Sequence, residues 1–152
     1  MNIQISYDYG KDDLSKLPLT ELTRFVLNYE ERSENTEVSI TFVENRFIAE
    51  LNEQYRGRTG PTDVLSFECD GLDDEDFEDA DSTVFELGDV VIAPDVARAQ
   101  MREFGTTFQE EISLLLVHGL LHLCGYDHIE DDEAEVMEAR EAAILEAWSE
   151  RR

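Results

Sequence analysis

The chain has 152 residues, 41% hydrophobic and 32% charged, a length and composition that suit one globular domain with a buried core. Its 37 acidic residues against 12 Lys and Arg give a formal net charge of −25, so the surface as a whole repels nucleic acid and anionic membranes at long range. No apolar run reaches bilayer length, and MNIQISYDYG has neither a basic n-region nor an apolar h-region, so neither a membrane span nor a secretory signal is expected.

Cys69 and Cys124 build no disulfide framework, which points to a reducing cytoplasm. The acid reads as a solvated coat that aids solubility. Lys11 and Lys16 are the only lysines, and such an acidic, lysine-poor surface suits a salt-rich cytoplasm where charges are screened.

Along the chain, NIQISY at 2–7 alternates apolar and polar residues and predicts a first strand. Pro18 introduces a helix with Leu22, Phe25, Val26 and Tyr29 at helical spacing. VSITFV at 38–43 predicts a second strand, and Phe47, Ile48, Leu51 and Tyr55 share a face of a helix ending before Gly57. VLSFEC at 64–69 and VFELGDVVIA at 84–93 predict two more strands. Between them DGLDDEDFEDADS, residues 70–82, is too acidic to bury and predicts a flexible loop. It lacks the spacing, glycine and final glutamate of an EF-hand calcium loop.

Pro94 opens a helix that runs to Gly105, and Thr107 with Glu110 forms a capping-box pattern for the next. That next helix, through ISLLLVHGLLHL, is apolar on nearly every side, so it is predicted to be the central buried helix, stopped by Gly125. The last helix has Val136, Met137, Ala143, Ile144 and Trp148 as its predicted inner face. These elements predict a single α+β domain over 1–152: a small mixed four-stranded sheet packed with about five helices.

All three histidines of the chain, His118, His122 and His128, fall within HGLLHLCGYDH. His118 and His122 are four residues apart, on one face of the predicted helix, and Gly125 lets the chain return His128 toward them. Three imidazoles suit one Zn2+ and leave a fourth position for water or substrate, the pattern of a catalytic site at the end of the central helix. Each histidine taken alone would read as a core side chain bonded to a backbone carbonyl. Cys124 reads as a small buried residue rather than a fourth ligand. Asp127 reads equally as a turn residue and as a carboxylate orienting an imidazole.

The spacing H-x3-H-x2-G-x2-H matches metzincin proteases in ligands and glycine, but Gly119 stands where those enzymes carry their general-base glutamate. A peptidase reading thereby loses its mechanism.

HGLLHLCGYDH, with LNEQYRGRTGPTDVLSF at 51–67 and ELGDVVIAPDVA at 86–97, resembles the YbeY family of bacterial rRNA maturation endoribonucleases. The resemblance implies a zinc-dependent, single-strand-specific endoribonuclease acting in maturation of the 16S rRNA 3′ end and in ribosome quality control. It implies His118, His122 and His128 as metal ligands and Arg56 as a functional arginine. It also implies single-stranded rRNA, the small ribosomal subunit and assembly factors as partners.

Chemistry gives Arg56 independent support, since a guanidinium pairs two phosphoryl oxygens at once, although a cation at a helix C-terminus serves the dipole equally well. Arg58 reads first as a surface arginine. With Arg56 it is expected to make a local positive cleft in an otherwise acidic surface. Gly119 suggests a site kept free of negative charge for phosphate, so Gly119→Glu is expected to keep zinc but weaken RNA cleavage without creating strong protease activity. The nucleophile, a metal-activated water or the ribose 2′-OH, is left open by the sequence. The alternatives are a metal-dependent hydrolase of peptides or small esters, and a non-catalytic zinc-containing ribosome assembly factor.

Overall fold

The computed structural model of the protein describes residues 1–57, 62–69, 84–126 and 130–151. Their elements run β1 (Asn2–Tyr7), α1 (Lys11–Leu14), α2 (Leu19–Tyr29), β2 (Thr36–Phe42), α3 (Asn45–Arg56), β3 (Val64–Glu68), β4 (Phe85–Ile92), α4 (Pro94–Phe104), α5 (Phe108–Leu123) and α6 (Asp131–Glu150). The four predicted strands and five predicted helices are all present. The additional helix, α1, has four residues, too few to show a periodicity. The class is α+β, with one four-stranded mixed sheet. The acidic stretch 70–82, predicted as a loop, lies outside the described residues.

The strand order is β1-β2-β4-β3, with β1, β2 and β4 parallel and β3 antiparallel to β4. Its interior position explains why β4 ends in a continuous apolar run, Val90, Val91 and Ile92, instead of alternating. One face of the sheet, including Val38, Ile40, Val64, Val90 and Ile92, packs with residues of α2, α5 and α6. The opposite face, with Leu65 and Val91, packs against Ile48 and Leu51 of α3. Each aliphatic side chain buried in these layers contributes about 1.5–3 kcal/mol of transfer free energy.

Gly88 marks the slip in register between β2 and β4, with φ at 147°. A Cβ there would stand 2.2 Å from the Phe67 carbonyl oxygen, so any side chain would push β3 off the sheet.

Two predicted inner faces need correction. On α3, Ile48 is buried, but Phe47 and Tyr55 are 48% and 61% exposed, so the apolar stripe is narrower than the sequence implies. On α6, Met137 and Ile144 are buried as expected, whereas Val136 is 59% exposed. Glu141, four residues after Met137, occupies the inner row instead and is only 8% exposed.

Candidate metal centre

Helix α5 sets the geometry of the site. Its start carries the predicted capping box: Glu110 N–H donates to Thr107 Oγ1 and Thr107 N–H to Glu110 Oε1, both at 3.1 Å. From there the helix runs through Ile112, Leu116 and Leu120, all fully buried. Beyond its last turn Gly125, with φ at 102°, takes a backbone conformation that side chains disfavour, and Tyr126 N–H returns to the Leu121 carbonyl.

His118 and His122 are brought together as their spacing implies. Their Nε2 atoms lie 3.1 Å apart, with ring planes at 80°. The other nitrogen of each ring is committed. His122 Nδ1 is 3.0 Å from the Tyr126 carbonyl oxygen, which can only accept, so this nitrogen carries the proton. His118 Nδ1 contacts the Glu141 carboxylate, which reaches it from α6. With Nδ1 donating, each ring would present Nε2 as an acceptor, and the two Nε2 atoms stand side by side as two ligands of one cation would.

A tetrahedral zinc with Zn–N bonds of about 2.0–2.1 Å would hold two such nitrogens about 3.3 Å apart. The observed pair fits that requirement in separation and in donor type. His128, the third expected ligand, lies outside the described residues, as does Asp127. Among the described residues no group of three metal-ligating side chains is present.

Arg56 forms the last turn of α3, but its side chain lies outside the described residues, and so does Arg58 entirely. Cys124 belongs to the apolar core, where burial pushes its thiol up to about 11, in keeping with a small buried residue.

Gly119 has a reason that sequence reasoning missed. Ser66 Oγ donates to the Gly119 carbonyl at 2.9 Å, so β3 lies directly against this turn of the helix. A Cβ at 119 would stand 2.6 Å from Val90 Cγ1 and 3.1 Å from Val64 Cγ2. The position is closed by the sheet. Gly119→Glu therefore cannot be expected to keep the fold, and a protease-like glutamate has no room here. The missed participant is Glu141: an acid placed four residues from Met137 and three from Ile144, in a row otherwise apolar, is the signal that could have found it.

A family profile described as Endoribonuclease YbeY matches residues 4–149. An Endoribonuclease YbeY of Acidothermus cellulolyticus is 42% identical over 153 residues, covering 97% of this chain and 92% of the relative. Another of Frankia casuarinae is 39% identical over 150 residues, covering 97% of this chain and 75% of the relative. The solution structure of a Thermotoga maritima protein superposes with a TM-score of 0.61 at 28% identity, covering 97% of this chain and 91% of that one. No described helix is long and apolar enough to cross a membrane. On a match that spans nearly the whole sequence, the chain belongs to the YbeY endoribonuclease family.

Proposed function

We propose that the protein is a zinc-dependent, single-strand-specific endoribonuclease that acts in maturation of the 16S rRNA 3′ end and in ribosome quality control. The observation that supports this reading is the convergence of two imidazole lone pairs, His118 Nε2 and His122 Nε2, at 3.1 Å in a chain of this family. His118, His122 and His128 would hold one Zn2+ with a fourth position open to water or substrate. When bound, the ion supplies a Lewis acid for the scissile phosphate.

The chain's own residues do the rest. The Tyr126 carbonyl and the Glu141 carboxylate hold the two imidazoles with Nε2 directed into the site. Arg56, at the C-terminal end of α3, pairs the charge that develops on the phosphoryl oxygens, since a guanidinium fork matches two oxygens and an ammonium does not. Arg56 and Arg58 would also offset, locally in sequence, the strong negative charge of the chain against RNA. The proposed setting is cytoplasmic, with the small ribosomal subunit and its assembly factors as partners.

The test is cleavage of end-labelled single-stranded and duplex RNA by the zinc-loaded protein. Single strands should be cut and duplexes spared. His122→Ala should abolish cutting, and Arg56→Lys should lower it by about tenfold or more, a loss of 1.4 kcal/mol or more in transition-state stabilisation. A 2′,3′-cyclic phosphate on the product identifies the ribose hydroxyl as nucleophile. Cleavage that persists in His122→Ala sinks the proposal.

A further inference from the structure

We infer that Glu141 is a positioning residue of the candidate centre, and that through it the docking of helix α6 sets the affinity for a divalent cation. This rests on the metal reading of His118 and His122 proposed above.

The two imidazoles are anchored in unlike ways. His122 is held by the Tyr126 carbonyl, four residues along the chain and part of the same helix end. His118 is held by a carboxylate 23 residues away on another helix. The first anchor forms whenever α5 forms; the second requires α6 in place.

Packing gives no reason for an acid at this position. Glu141 is 8% exposed and shares its inner row with Met137 and Ile144, both almost wholly buried. A carboxylate taken out of water is costly unless it is paired. Its partner here is His118 Nδ1. Accepting that N–H holds His118 in the tautomer whose Nε2 keeps a lone pair, on the side where His122 Nε2 stands. The carboxylate also places one negative charge behind ligands that are otherwise neutral, which favours a dication in front of them.

The rotation of α6 about its axis is fixed next door. Arg140 grips Glu30 at the end of α2 with two bonds, Nε to Oε1 at 3.1 Å and a terminal nitrogen to Oε2 at 2.9 Å. Its guanidinium also lies over the Tyr29 ring, 4.6 Å from the centroid. A helix clamped at residue 140 presents residue 141 in one direction.

The experiment uses the full chain, with Glu141→Ala and the near-isosteric Glu141→Gln. Zinc affinity is measured by competition with a chromophoric chelator. The His118 tautomer is read in metal-free protein by nitrogen-15 NMR, and folding is checked by circular dichroism. Glu141→Ala should bind zinc 10–100-fold more weakly, while His118 shifts from the Nδ1–H to the Nε2–H form. Glu141→Gln should lose less, because its amide oxygen still accepts from Nδ1–H; it carries the test if the alanine variant fails to fold. Parent-like zinc affinity and an unchanged tautomer in a folded variant would overturn the inference alone. A parent protein that binds no zinc overturns the metal reading and this inference with it.

Discussion

Gly119→Ala puts two known effects in opposition at one atom. In a helix interior alanine is favoured over glycine by about 1 kcal/mol, so propensity alone predicts a more stable protein. The surroundings predict the reverse. The new Cβ would sit 2.6 Å from Val90 Cγ1, and ordinary carbon–carbon contact needs about 3.5–4.0 Å, so roughly 1 Å must be found. Val90 cannot easily yield it, being fully buried, β-branched and in a strand paired on both sides. Moving the helix instead would stretch the bond from Ser66 Oγ to the Gly119 carbonyl. Overpacking of this kind costs about 1–3 kcal/mol, so the propensity gain is cancelled or outweighed, with a net loss of up to about 2 kcal/mol.

The assay is urea unfolding of the metal-free protein, with Val90→Ala and the double variant completing a cycle. Removing Val90 Cγ1 removes the closest contact, so Gly119→Ala should become nearly neutral in that background, with Val64 Cγ2 at 3.1 Å limiting any gain. A stabilised Gly119→Ala, or the same penalty in both backgrounds, would refute the steric reasoning.

Three further outcomes follow from the contacts described. Thr107→Ala removes one half of the capping box and should cost about 1 kcal/mol in urea unfolding, with Thr107→Ser retaining most of it. Arg140→Lys loses the two-bond grip on a nearly buried Glu30 side chain and should destabilise by about 1–3 kcal/mol, a penalty that shrinks when Glu30 is already glutamine. Alkylation of the native protein at neutral pH should modify exposed Cys69 and spare buried Cys124 until the protein unfolds, as peptide mass mapping would show.

Much of the fold is legible because its signals are local. Alternation in NIQISY and VSITFV marks β1 and β2, and Pro94 and the Thr107–Glu110 pair mark helix starts. The sheet order is not local. Nothing in the composition of β4 says that it lies between β2 and β3.

The same division runs through the candidate site. That His118 and His122 face each other follows from a spacing of four on one helix. Glu141 is marked in the sequence only by sharing a row with Met137 and Ile144, a faint signal on a helix with acids around most of its circumference, and its contact with α5 is what singles it out. Val136 was misplaced for the related reason that a weakly amphipathic helix leaves its inner row ambiguous by one residue. Gly119 reads as chemistry in the sequence but answers to space in the fold, since a clash with Val90 links residues 29 positions apart.

The place of Glu141 after every strand of the sheet also bears on the order in which the molecule is made. Every strand of the sheet has been synthesised once Ile92 is added, while the partner of His118 is still to come. At roughly 5–20 residues per second, the carboxylate follows the last strand by about 2–10 s. A nascent chain thus holds a sheet and both paired histidines before it holds the group that orients the first of them. The contact between His118 and Glu141 therefore waits on the synthesis of α6.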